Sequence, residues 1–144
     1  MAEPMSAERR REFLLDGTRT AILATTRADG RPHAVPVCFV LDDDDVLFLT
    51  NADSVKGANI RRDPRVTFVV DDDEPPFAFV VVDGTAQMSQ DRDEIRHAAV
   101  AISHRYDGGE GTDEFVRFAT DALGSLVRIR PARVLALDRV GEHG

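Results

Sequence analysis

Lys56 is the only lysine in the chain, against seventeen arginines, and it stands where a helix ordinarily disfavours a cation. The segment Asn51-Ala-Asp-Ser-Val-Lys-Gly-Ala-Asn-Ile-Arg-Arg-Asp-Pro-Arg65 follows a β-like run and reads as a helix start, with Asp53 or Ser54 as N-cap. Counted from Asp53, Lys56 takes the position where a capping box places Glu or Gln. A cation in the first turn costs about 0.3–1 kcal/mol unless an anion sits over the helix N-terminus. Such an anion would be shared by the first amides, the Ser54 hydroxyl and the ammonium, so the pattern has the makings of a phosphate seat. The spacing alone equally accommodates a solvated surface lysine beside an ordinary cap.

Other reactive residues are sparse. His33, His97, His104 and His143 are scattered, no pair has HExxH or i,i+4 ligand spacing, and no metal site is expected. Ser103 and His104 are adjacent, but helical neighbours point about 100° apart and cannot form a nucleophile–base pair. Cys38, the single cysteine, rules out an intrachain disulfide and any CxxC motif. Lying in the apolar run from Ala34 to Leu41, it reads as a small packed residue. No G-x-S-x-G and no distinctive carboxylate pair occurs. No catalytic residue is assigned, and any chemistry is expected to come from a cofactor.

The elements that must position these residues follow from pattern and bulk numbers. At 144 residues and 42% hydrophobic content, one packed domain spanning 1–144 is expected. The net charge of −8 equals the eight acids of Asp42–Asp45 and Asp71–Glu74, which read as solvated loop tips. Overall acidity opposes a nucleic-acid footprint. No run is long enough to span a membrane and no leader is apparent, so a cytoplasmic protein with no membrane partner is expected. A helix over 1–16 precedes short strands from Thr20 to Thr26, Ala34 to Leu41, Val46 to Thr50, Arg65 to Val70 and Phe77 to Met88, with Asp29-Gly30 as one hairpin turn. A helical insertion over 91–122 has one apolar face through Ile95, Ala99, Ile102 and Tyr106, and a second, after a Thr112 cap, through Phe115, Phe118, Ala119 and Ala122. The link Asp107-Gly-Gly-Glu-Gly111 reads as a flexible turn. A final strand from Ser125 to Asp138 is bent or bulged around Pro131, at an edge. This meander order predicts a mainly β fold with helices: a split antiparallel β-barrel of about six strands with peripheral helices.

The run Leu49-Thr50-Asn51-x-x-Ser54-x-Lys56-Gly57, then Asn59 and Asp63-Pro64-Arg65, resembles the flavin-phosphate segment of the pyridoxamine 5′-phosphate oxidase-like split β-barrel family. Ala21-Ile-Leu-Ala-Thr-Thr, Asp29-Gly-Arg-Pro-His, Val82-Asp-Gly-Thr-Ala and Leu126-Val-Arg-Ile-Arg-Pro-Ala-Arg-Val extend the likeness over almost the whole chain. The resemblance implies a homodimer with cofactor at the subunit interface. It places the phosphate on Ser54 and Lys56 with Thr50 beside it, and the ring against Pro36, Val37, Cys38 and Phe39. Asn59, Arg61, Arg62 and Arg65 are further candidates, Arg61 and Arg62 for an acidic cofactor tail. Members that oxidise pyridoxamine phosphate have Arg before the lysine, Lys at the end of the second-strand motif and a C-terminal Arg-x-His, whereas this chain has Val55, Phe39 and no such motif. It is more similar to short members dependent on the deazaflavin coenzyme F420, which share Asn59–Arg65 and Asp83–Gln87. The implied activity is an F420-dependent reductase passing hydride to an unsaturated or quinone-like small molecule. An FMN-dependent relative and a non-catalytic flavin or deazaflavin storage protein are the alternatives.

Overall fold

Short polar side chains start the helices, the first at Ser6 and not at residue 1, since Glu3–Pro4 is drawn into a strand pair with Leu137 and Asp138. In the computed structural model, which describes residues 2–141 and so leaves His143 outside, Ser6 accepts from the Arg9 amide to open α1 (Ala7–Leu15). Asp91 accepts from the Asp93 and Glu94 amides to open α3 (Arg92–Asp107). Between them the chain runs through β1 (Glu3–Pro4, ahead of α1), β2 (Ala21–Thr26), β3 (Pro32–Val37), β4 (Val40–Asp42), β5 (Asp45–Asn51), α2 (Val55–Arg62), β6 (Arg65–Asp72) and β7 (Ala78–Ser89). After α3 come α4 (Thr112–Phe118), a π-helical turn (Ala119–Leu123) and β8 (Gly124–Asp138). All pairings are antiparallel, in the order β3-β2-β6-β7-β8-β5-β4 with β1 on β8. This is the expected mainly β architecture, an eight-stranded sheet curled round its core without closing. No described helix is long and apolar enough to cross a membrane.

The expected strand from Ala34 to Leu41 is two strands. Its break falls at Cys38-Phe39, because the Phe39 backbone bonds to side chains of α3 and leaves the ladder. The Phe39 N–H donates to the Tyr106 hydroxyl (3.1 Å), and the Phe39 carbonyl accepts from Arg105 Nη1 (2.6 Å). The same guanidinium donates to the carbonyls of Leu14 (2.7 Å), Gly17 (3.2 Å) and Arg19 (3.3 Å), and lies 4.5 Å from the Phe39 ring centroid. One half-buried cation thus ties α1, its following loop and the strand break to the last turn of α3. Burial draws the Arg105 pKa down, and the carbonyl dipoles offset that cost.

β8 is the spine, not an edge: it pairs with β7 along its length and with β5 over its first half. Pro131 is tolerated there because the register slips between Asp83 and Gly84, leaving Ala132 without a partner in a bulge. Strand alternation then sorts the core. Val46 and Phe48 of β5 point into the sheet's concave side with Phe39, Phe68, Val80 and Val127, while Leu47 of the same strand packs under α3 with Ile95, Ala99 and Ile102. On the opposite face of β2, β6 and β7 the cross-strand partners Pro36, Ile22, Val69, Val81 and Leu135 form one apolar row over five strands. Ile22 is 44% and Leu135 50% exposed.

Three finer expectations change. Only Asp43 and Asp44 form the first acidic tip, for Asp42 and Asp45 lie in strands and both meet Arg128 at 2.9 Å. Thr112 does not cap α4: Gly111 holds the cap position without a side-chain bond, and the Thr112 hydroxyl donates to the Gly109 carbonyl (2.8 Å). Phe118 lies off the apolar face, 52% exposed, because the helix widens into the π turn one residue later. The Arg105 network yields the first test. Arg105→Ala, which leaves three or more carbonyls without donors, should cost about 2–4 kcal/mol in urea unfolding. Arg105→Lys, with one compact head for four acceptors, should recover less than half of that loss.

Candidate functional site

The site is built where β5 ends. The Asn51 carbonyl accepts from the Ser54 amide (3.0 Å) and hydroxyl (2.7 Å), and Asn51 Oδ1 accepts from the Asp53 amide (2.8 Å), folding the chain back within three residues. Ser54 is the N-cap of α2, its Oγ accepting from the Gly57 amide at 3.1 Å. Lys56 is therefore at the second helical position, one short of the capping-box place, which Gly57 holds when Ser54 is the cap. Gly57 is required by contact: a Cβ there would stand 2.5 Å from the Asn51 carbonyl and 2.7 Å from that of Ala52. Thr50 Oγ1 lies 3.0 Å from Ser54 Oγ. Thr50, Ser54 and Lys56 are thus gathered by one turn.

What sets this turn apart is an unbalanced positive charge. Lys56 is half-buried, and among the described residues no carboxylate forms an ion pair with it. Burial pulls its pKa below the ordinary lysine value. Among the described residues the N–H groups of Val55 and Lys56 also have no protein acceptor, as first-turn amides do when no side chain reaches them. Two free donors, a dipole end and a partly desolvated lysine thus belong to one helical turn. An anionic oxygen cluster would satisfy all of them, whereas Ser54, already bonded three ways, would contribute by orienting the turn.

The remaining candidates separate. Asn59, nearly fully buried, donates from Nδ2 to Thr25 Oγ1 (3.0 Å) and accepts from Arg62 Nη2 (3.0 Å), and Arg62 also donates to the Thr26 carbonyl. Both residues lock the far end of α2 to β2 instead of facing the seat. Arg61 meets Asp53 at 3.4 Å. Arg65 is held by Asp63, whose carboxyl is pushed down to about 2 by the Arg65 side-chain hydrogen bonds. Of the expected ring wall, alternation turns Pro36 and Cys38 outward but Val37 and Phe39 into the core, so the last two cannot offer side chains to a ring. Phe39 cannot offer its backbone either, since α3 consumes it. Cys38, expected to be packed, is exposed, and its apolar surroundings raise the thiol pKa, which keeps it un-ionised and poorly nucleophilic at neutral pH. Among the described residues no group of three metal-ligating side chains forms, and His97 and His104 are exposed.

The sequence reading missed a cavity of about 270 Å³ on the outer side of β5, lined by Cys38, Leu49, Ile102, Ser103, Tyr106, Asp107, Phe115 and Leu123. Its walls come from four separate elements, so no local motif announced it. The nearest signal was that Leu49 alternates out of the core in a strand apolar on both faces.

The sequence profile of the family described as pyridoxamine 5′-phosphate oxidase matches residues 7–138. A 5a,11a-dehydrotetracycline/5a,11a-dehydrooxytetracycline reductase of Streptomyces rimosus is 42% identical over 73 residues, which are 45% of this chain and 51% of that one. The chain thus spans about half the length of that curated relative. A conserved hypothetical protein of Mycobacterium tuberculosis superposes with a TM-score of 0.84 at 28% identity, over 94% of this chain and 86% of that one. An F420 reductase superposes with a TM-score of 0.66 at 25% identity, over 85% and 94%.

Lys56 carries a signature that separates a ligand site from a structural cation. A lysine whose folded pKa is depressed destabilises the fold at every pH below that pKa, and the penalty fades only as pH rises towards the unfolded value. Lys56→Met should therefore leave the ligand-free protein's stability unchanged within about 0.5 kcal/mol, or raise it, in denaturant titration. A structural cation would show a clear loss.

Proposed function

The chain belongs to the pyridoxamine 5′-phosphate oxidase family, and on that premise we propose that it is an oxidoreductase that uses a flavin-type cofactor, with the cofactor phosphate seated on the first turn of α2. The observation that carries this reading is the half-buried Lys56 ammonium beside two unpaired amide donors. Thr50 and Ser54 hold the turn, and Gly57 presses it against the strand end. Bound there, such a cofactor supplies the hydride chemistry. The protein's own part is to bind the phosphate, orient the ring, provide apolar walls and exclude water.

We read the cofactor as F420 and the reaction as reduction of an unsaturated or quinone-like small molecule. Support comes from the F420 reductase among the structural relatives and from the reductase of Streptomyces rimosus, matched over half its length. The positions at which members that oxidise pyridoxamine phosphate resemble one another in having Arg and Lys hold Val55, half exposed, and Phe39, sealed in the core. A phosphorylated vitamin B6 substrate would find no counter-charge at either.

A symmetric dimer completes this reading. The row Pro36, Ile22, Val69, Val81 and Leu135 is an apolar sheet face with no covering element among the described residues, and a second copy of the same row is its natural complement. Pro36 lies at the end of this row and adjoins the strand break at Cys38, which would bring an interfacial ring close to both.

Titration of the purified protein with F420 and with FMN tests the cofactor: F420 should bind tightly, and a preference for FMN would replace the deazaflavin reading. Lys56→Ala should weaken binding by roughly 1.5–3 kcal/mol with the fold intact. Decay of reduced F420 absorbance with quinones and enones tests turnover, and tight binding without any accepted substrate would favour storage. For assembly, light scattering should give a dimer, and the double substitution Ile22→Asp with Leu135→Asp should give a folded monomer with weakened cofactor affinity. A wild-type monomer at micromolar concentration would remove the interfacial site.

A further inference from the structure

The cavity beside α3 lies outside the phosphate seat. Leu49 forms part of its wall, and Leu49 and Thr50 are strand neighbours whose side chains leave β5 on opposite faces. Thr50 meets Ser54 on one side, and the cavity opens on the other. It is walled by apolar groups of Leu49, Ile102, the Tyr106 ring, Phe115 and Leu123.

Its polar end is made of acceptors. Ser103, nearly fully buried, lies 3.0 Å from Asp107 Oδ1, and the Gly109 amide donates to the same oxygen at 2.9 Å. Among the described residues Asp107 Oδ2 receives no hydrogen bond. No Arg or Lys lines the cavity, since the neighbouring Arg105 is turned away to four backbone carbonyls. An anionic occupant would lie beside the exposed Asp107 carboxylate with no cation in the lining to balance it, whereas an O–H or N–H would find a ready acceptor. At about 270 Å³ the space is at the small end of ligand pockets, suited to one ring and not to a polycycle.

We propose that this cavity is a binding site for a small neutral or cationic molecule with an apolar body and one hydroxyl or amine, whose donor is accepted by Asp107. The site does not depend on the cofactor reading, and its test needs no cofactor.

Tyr106 is the only tyrosine and the chain has no tryptophan, so intrinsic fluorescence reports directly on the cavity wall. The dialysed protein is titrated at neutral pH with three non-fluorescent probes of similar shape: cyclohexylmethanol, cyclohexylmethylamine and cyclohexanecarboxylate. The alcohol and the amine should change Tyr106 emission saturably and, in a parallel assay at alkaline pH where the thiol ionises, slow alkylation of Cys38 by iodoacetamide, while the carboxylate binds about tenfold or more weakly. Asp107→Asn should bring the carboxylate close to the alcohol, and Leu123→Phe, which fills the cavity, should abolish both signals. No saturable change with either the alcohol or the amine overturns the proposal, as does a carboxylate that binds as well as the alcohol. Should Leu123→Phe fail to fold, protection of wild-type Cys38 decides: unslowed alkylation at saturating alcohol overturns the site.

Discussion

The close approach of β7 to β8 at Gly84 is the contact on which the sheet depends. A Cβ at this position would stand 2.6 Å from the Arg130 carbonyl and 2.8 Å from Ile129 Cγ2, so two strands meet there at a separation that excludes any side chain. Immediately beyond, Ala132 bulges out and β8 bends. Because β8 joins the β3-β2-β6-β7 half of the sheet to the β5-β4 half, this bend brings the two halves round one core. Everything on β5 follows its direction, including the Thr50–Asn51 turn and the outer wall of the cavity.

Helix α2 is then fixed at both ends by contacts that leave little freedom. Gly57 rests on the Asn51 and Ala52 carbonyls at the start, and Asn59 and Arg62 grip Thr25 and Thr26 towards the end. Rigidity of this kind explains how a poorly solvated ammonium is kept in place. Several arginines are balanced by acids close at hand: Arg9 with Asp138, Arg65 with Asp63, Arg128 with Asp42 and Asp45. Lys56 is not, and a fold that tolerates an unbalanced cation at a helix N-terminus has the preorganisation that anion binding requires.

β5 separates three environments. Val46 and Phe48 fill the core, Leu47 and Leu49 face the helical layer, and the strand's end turns into the proposed phosphate seat. In the proposed dimer the apolar row from Pro36 to Leu135 would add a fourth surface, supplied by the partner. Arg105 serves this arrangement indirectly. With Tyr106 it draws the Phe39 backbone out of the ladder at the break that separates β3 from β4.

What the amino-acid sequence determined by itself was whatever depends on neighbours within a few residues. Period-two apolar runs defined most of the strands, Ser54 marked the start of α2, and Asp29-Gly30 marked a hairpin, because caps and turns are satisfied locally. Even the candidate seat was legible, since Thr50, Ser54 and Lys56 lie within seven residues. Tertiary structure decided what long-range partners decide. Asn59 and Arg62 looked available until β2 claimed them, and Phe39 looked like a ring wall until α3 took its backbone and Phe68 its side chain, at 5.3 Å between ring centroids. Cys38 lies outside the core because the alternation of β3 carries on through the break. β8 became the spine although its proline suggested an edge, for the bulge removes the ladder bond that proline cannot make. The cavity draws on residues from 38 to 123, and no local spacing encodes a space enclosed by walls so far apart in the chain.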